Sequence, residues 1–207
     1  LLLGLGLTQT VGAISIHPTQ PGFKLPFEAG TEVYLNRTWA GNNGDVSGHP
    51  DAGKYDFSWV GIDGVPVLAV ADGYVDQRPN GEVAGFGNAI QLKFSNGTEA
   101  RYAHLSAYEG AERAVEQGDV IGYVGSTGRS TGPHLHFEYA SSSPGAWHTR
   151  YIAVFDEVKS KYPTGNGSPS AAREPYVSEN GILDPCTDVL SPYADWKPSF
   201  SCLLPAE

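Results

Sequence analysis

A chain of 207 residues with 40% apolar content is long enough for one well-buried core and a small appendage, and too short for two full-sized domains. The net charge of -10, with no cluster of Lys and Arg, excludes a nucleic-acid partner, because a phosphate-binding surface needs grouped cations to release counterions. The 26 Gly and 15 Pro exclude a mainly helical protein, and their spread among short Val/Ile/Tyr/Phe-rich runs predicts mostly strand and loop.

Taken in chain order, the apolar Leu1-Leu-Leu-Gly-Leu-Gly-Leu followed by the small residues up to Ala13 predicts a signal-peptide remnant and leader over residues 1–22. No segment approaches the roughly 18 apolar residues of a membrane helix, so no stable membrane insertion is expected. Gly41 to Gly53 lacks periodicity and reads as an exposed loop, with His49 inside it. Strand-like runs follow at Val65 to Val70, Ala89 to Phe94, Glu99 to His104, Val120 to Val124 and His134 to Tyr139. Asp72-Gly73 and Asn96-Gly97 are turn signals between them, and the second, set between alternating segments, predicts a hairpin. The whole reads as an antiparallel meander, with one short helical turn at Ala111 to Gln117. A main domain over residues 23–158 gives way to a Pro/Gly/Ser/Asn-rich linker and a tail, residues 159–207. A bridge between the two cysteines, Cys186 and Cys202, is expected in that tail and would suit an oxidising compartment.

The segment Gly132-Pro-His-Leu-His-Phe-Glu-Tyr carries the chemistry. Alternate residues of a strand face the same side, so His134 and His136 share one surface, roughly 7 Å apart. Arg101-Tyr-Ala-His-Leu places His104 at the end of the strand after the Asn96-Gly97 turn, within reach of that surface. Asp56, embedded in Tyr55-Asp-Phe-Ser-Trp, is a carboxylate among aromatics and needs a partner, since an unpaired buried charge is costly. Imidazoles and a carboxylate around one divalent ion satisfy each other, and zinc suits that mixture. His17 and His148 fall outside the pattern and read as surface residues, and Asn88 reads as turn chemistry beside the groove.

The segments His49…Asp56, Tyr102-Ala-His104-Leu and His134-Leu-His136-Phe-Glu, with Gly64-Val-Pro-Val-Leu-Ala-Val-Ala-Asp-Gly and Gly118-Asp-Val-Ile-Gly-Tyr-Val-Gly-Ser-Thr-Gly between them, resemble the lysostaphin-type zinc endopeptidases over roughly residues 45 to 140. The resemblance implies a mostly β fold with few helices, an antiparallel sheet or sandwich of the duplicated hybrid motif, with a narrow groove. It further implies a Zn2+ cofactor held by His49, Asp56 and His136, with His104 and His134 as catalytic residues, one a general base and the other a stabiliser of charge. Which is which stays open. The substrate implied is a peptidoglycan peptide, cut at stem cross-links or glycine bridges, by a secreted or cell-envelope protein expected to be a monomer. The departure from the family pattern is the gap of six residues between His49 and Asp56, where three are usual; Asp51 is the alternative ligand. The competing expectation is a non-catalytic cell-envelope binding or hydrolase-regulating protein of the same fold.

Overall fold

The computed structural model describes residues 18–38, 54–80, 85–142, 150–151, 153–158 and 175–181. In chain order the strands are β1 (Glu32–Val33), β2 (Leu35–Thr38), β3 (Lys54–Phe57), β4 (Pro66–Leu68), β5 (Gly73–Arg78), β6 (Asn88–Lys93) and β7 (Thr98–Leu105). They continue with β8 (Ala107–Tyr108), β9 (Ala114–Val115), β10 (Val120–Tyr123), β11 (Leu135–Ser141), β12 (Arg150–Tyr151) and β13 (Tyr176–Val177). A single turn of 3-10 helix at Asp156–Val158 is the only helix among the described residues. The fold is therefore mostly β.

The main sheet runs β2-β3-β11-β7-β6-β5-β9, with β12 added beside the far end of β11, and all its ladders are antiparallel. The two faces of this sheet follow directly from alternation along the strands. One carries Tyr55, Phe57, Ile90, Leu92, Tyr102, Leu135, Phe137 and Tyr139, all buried. Phe137 stands edge-on to Tyr102, with ring centroids 5.2 Å apart, and lies 5.5 Å from Phe155, so the aromatic rings interlock as the core. On the other face the register aligns Asp76, Gln91, Arg101, Glu138 and Lys54 in one polar row across β5, β6, β7, β11 and β3.

The Asn96-Gly97 hairpin between β6 and β7 forms as its sequence predicts, with Gly97 at a φ of 77° and its N–H donated to the Phe94 carbonyl. Two expectations are corrected. Among the described strands only β5, β6 and β7 form a meander, because β11 returns from far along the chain to lie between β7 and β3. In addition, β4, β10 and β8 pair as a separate three-stranded sheet. The expected helical turn at Ala111 to Gln117 is not formed; Ala114 and Val115 pair with Tyr74 and Gly73, since the open edge of β5 offers backbone partners that a single helical turn cannot match.

Residues 175–181 pack on the start of the domain. β13 pairs with β1, and the buried Asn180 donates its side-chain amide to the carbonyls of Leu25 and Ala69. No helix among the described residues is long and apolar enough to cross a membrane.

Truncating the most interlocked ring should show where the stability resides. Phe137→Ala is expected to cost about 3–5 kcal/mol in denaturant unfolding, whereas Val60→Ala, at a fully exposed position, should stay within about 0.5 kcal/mol.

Candidate active site

Asp56 on β3 and His136 on β11 are direct cross-strand partners, so the ladder between these strands sets one against the other. The Oδ1 atom of Asp56 lies 2.8 Å from Nδ1 of His136, and both residues are buried. The opposite ring nitrogen, Nε2, lies 3.0 Å from Oε1 of Glu138, two residues along the same strand and on the same face. Burial by itself would raise the Glu138 carboxyl, but the hydrogen bond and charge of His136 and the cations of Arg101 and Arg150 outweigh it and hold it down at about 2. Burial likewise works against a charged His136, and its contacts with Asp56 and Glu138 reverse that and raise its pKa.

His104 occupies the end of β7 with a φ of 64°, the single non-glycine residue in the left-handed region among those described. Such a backbone costs on the order of 1–3 kcal/mol and persists only where its surroundings hold it. Here the His104 N–H donates to the Phe86 carbonyl at 2.9 Å, and the ring Nδ1 donates to the Thr127 carbonyl at 2.8 Å. With Nδ1 carrying the proton, the lone pair sits on Nε2. Burial pushes the His104 pKa down to about 4, the neighbouring imidazoles of His134 and His136 add to this, and the Thr127 bond offsets only part of it. The Thr127 loop can approach because of Gly87, where a Cβ would collide with the Thr127 backbone.

His134 precedes β11 and donates Nδ1–H to the Gly132 carbonyl at 2.8 Å, with the Ser130 hydroxyl 3.3 Å away. Its Nε2 is 3.9 Å from Oδ1 of Asp56. The rings of His104 and His134 have centroids 4.6 Å apart, and those of His104 and His136 5.9 Å. The structure thus brings together Asp56, His104, His134 and His136. They lie in a groove also lined by Lys54, Trp59, Val60, Phe86, Arg129 and Pro133. Trp59 rests on Phe27, with centroids 4.9 Å apart, and the adjoining Val60 is fully exposed at the rim.

Donor chemistry at this point suits a divalent cation. When His136 gives up the proton on Nδ1, that nitrogen and Oδ1 of Asp56 are a nitrogen and an oxygen donor side by side in a buried place, a set that suits zinc. Among the described residues no third His, Cys, Asp or Glu completes a metal cluster. The third expected ligand, His49, lies outside the described residues, as do Asp51, His17, His148, Cys186 and Cys202. Asn88 serves as turn chemistry: its side chain accepts the Asn80 N–H and donates to the Leu105 carbonyl.

Sequence reasoning singled out the histidines and Asp56 but not their supports, Glu138, Arg101, Thr127 and Gly132. Glu138 was legible, since a residue two after His136 on a strand shares its face. Arg101 was not, because only the β7–β11 register sets it opposite Glu138.

Residues 56–146 match the model of Peptidase family M23, and the chain belongs to that family through this domain. The match includes Asp56, His104, His134 and His136 and begins after His49. The chain is 56% identical over 75 residues to "DD-carboxypeptidase/endopeptidase Mpg" of Neisseria meningitidis serogroup B (strain ATCC BAA-335 / MC58), covering 36% of this chain and 17% of the relative. It is 39% identical over 82 residues to "Glycyl-glycine endopeptidase ALE-1" of Staphylococcus capitis, covering 39% and 22%. Among solved structures, the catalytic domain of the antimicrobial peptidase lysostaphin from Staphylococcus simulans is 30% identical, with 63% of this chain and 84% of that one covered and a TM-score of 0.42. The chain spans less than a quarter of the length of these two curated relatives.

The buried, neutral His104 has a consequence for acid stability. Because the folded chain holds this ring near 4 while an unfolded histidine titrates near 6.5, the unfolded state binds the extra proton first as the pH falls. Stability should therefore drop as pH decreases from about 6.5 to 4, and His104→Gln should flatten that part of the unfolding profile. An NMR titration of the metal-free chain should place the His104 midpoint near 4; a midpoint near 6.5 would contradict this account of the ring.

Proposed function

We propose that this chain carries a zinc metallo-endopeptidase domain that hydrolyses peptide bonds in bacterial peptidoglycan, at stem cross-links or glycine bridges, in a secreted or cell-envelope setting. The observation that carries the reading is the buried Asp56–His136 pair with the imidazoles of His104 and His134 beside it in one groove. The names of the relatives, a carboxypeptidase/endopeptidase and a glycyl-glycine endopeptidase, support peptide-bond cleavage.

In this reading His49, Asp56 and His136 hold the metal, and Asp56 is preferred over Asp51 because a strand residue locked in a ladder is held more rigidly than a loop residue. Bound zinc supplies a Lewis acid that polarises a scissile carbonyl and acidifies a water. The chain's own work is orientation and proton transfer. His104, neutral with its proton fixed on Nδ1, offers Nε2 as a base. His134, fixed through Nδ1 to Gly132, offers its own Nε2 to the same space, and the two divide base and charge-stabilising roles between them. Trp59, Val60 and Arg129 lie where an extended peptide would cross the groove. Residues 23–158 form the peptidase domain of this proposal, with a leader in 1–22 and a tail in 159–207 closed by a Cys186–Cys202 bridge, and the protein acts as a monomer.

Elemental analysis of the purified chain should find about one zinc, which His136→Ala and Asp56→Ala remove. His104→Ala and His134→Ala should keep most of the zinc and lower peptidoglycan turnover by at least about 100-fold, read by mass analysis of released fragments with a chelator control. Loss of zinc in Asp51→Ala with retention in Asp56→Ala would overturn the ligand assignment. No fragment release from cross-linked peptidoglycan of several chemotypes would overturn the hydrolase reading.

A further inference from the structure

We infer that Arg129 sets substrate choice in the groove by holding a free carboxylate of the bound peptide, so that the domain takes acidic stem cross-links rather than glycine bridges. This rests on the hydrolase reading of the same groove and chooses between the two peptide classes named there.

Cations are scarce in this chain, 13 Lys and Arg against 23 Asp and Glu, and nearly all those with described side chains are committed. Lys24 faces Glu179, Arg78 and Lys93 face Asp76, and Lys54, Arg101 and Arg150 surround Glu138. Arg113 donates to the carbonyls of Glu109 and Val120. Arg129 is the exception. Among the described residues no carboxylate or carbonyl engages its guanidinium, and it is exposed in the groove.

Its place is nonetheless fixed. The Arg129 N–H donates to the Gly85 carbonyl at 2.9 Å, and a Cβ at Gly85 would stand 3.5 Å from Cδ of Arg129, so the side-chain stem lies along that backbone. Two residues before Arg129 the Thr127 carbonyl holds the His104 ring, and one residue after Gly85 the Phe86 carbonyl holds the His104 N–H. Arg129 is thus anchored to the two segments that position His104. The other wall of the groove follows β3 and carries Trp59, the fully exposed Val60 and the acidic Asp63. Between the walls lie His134 and His136 at the start of β11, because β11 runs between β3 and β7.

A guanidinium presents a planar fork of donors that matches a carboxylate in two parallel hydrogen bonds. In a chain of net charge -10 an acidic ligand is otherwise disfavoured, so Arg129 supplies the local attraction. Asp63 repels an acid from the opposite wall, where Trp59 and Val60 suit a small alkyl group. A glycine bridge offers neither feature, since its residues have no side chains and its carboxyls are consumed in amides. A stem cross-link offers both alanine methyls and free carboxylates. The carboxylate is either the α-carboxyl of the γ-linked glutamate or the one on the residue whose amine is acylated at the cross-link.

The test uses the full chain with a stem cross-link bearing free carboxylates, its amidated twin and a pentaglycine bridge. The zinc-loaded wild type should cleave the acidic peptide with a kcat/KM about 10-fold above that of the twin, the scale of hydrogen bonds to one charged group, and above that of the glycine bridge. Arg129→Gln should lose the preference for the acid over the twin, and Arg129→Lys should keep part of it. Peptides amidated at one carboxyl at a time identify which carboxylate is held. A wild type that cleaves the twin as well as the acid overturns the inference, as does a glycine bridge cleaved faster than the stem peptide. So does an Arg129→Gln chain that slows acid and twin by the same factor, as a purely structural role would. Calorimetry of the same peptides with the metal-free chain separates the two readings. Preferential binding of the acid, lost in Arg129→Gln, without cleavage of any peptide overturns the hydrolase reading and leaves the carboxylate site standing; cleavage without that preference does the reverse.

Discussion

The ladder between β3 and β11 is the constraint on which the site depends. It sets Asp56 against His136 and Lys54 against Glu138, two polar pairs one step apart on the same face. A shift of one residue would send Asp56 and His136 to opposite faces and would carry Tyr55 or Phe137, whichever strand slipped, out of the core. Interlocked aromatic packing on the far side therefore guards the geometry of the polar side. Tyr55, Phe137 and Phe155 enforce the register from one face while the charged pairs use it on the other.

Burying so many ionisable groups would destabilise the sheet if they were not mutually paired. The polar row solves this by alternation of charge across neighbouring strands. Arg101 and Lys54 flank Glu138, Gln91 donates to Glu99, and Arg78 donates to Gln91. The result is a stiff platform under His136, with a dry environment in which each hydrogen bond is strong because water does not compete. His104 reaches the platform by a different device, a strained φ of 64° held by Phe86 and Thr127. Strain at one residue, stabilised by two backbone partners, turns the imidazole toward the other two histidines where an extended strand end would not.

Each imidazole in the groove is held by an acceptor on at least one ring nitrogen, and His136 has one on both. Thr127 and Gly132 supply carbonyls to His104 and His134, and Glu138 supplies a carboxylate to His136. The distinction matters chemically. The carbonyls behind His104 and His134 are neutral, while His136 lies between two carboxylates. These contacts all lie within the stretch that matches Peptidase family M23.

Alternation alone determined that the chain is a β protein, that His134 and His136 share a face, and that the Asn96-Gly97 turn closes a hairpin, because these depend on neighbours within a few residues. The need of Asp56 for a partner was legible too, since a carboxylate between aromatics is costly unpaired. Which partner it takes was not, nor that Glu138 and Arg101 lie beside His136, nor that β11 lies between β3 and β7 rather than at the end of a meander. Those facts are pairings between segments tens of residues apart, and only the packing of a common core selects one register from the many that backbone hydrogen bonding would allow.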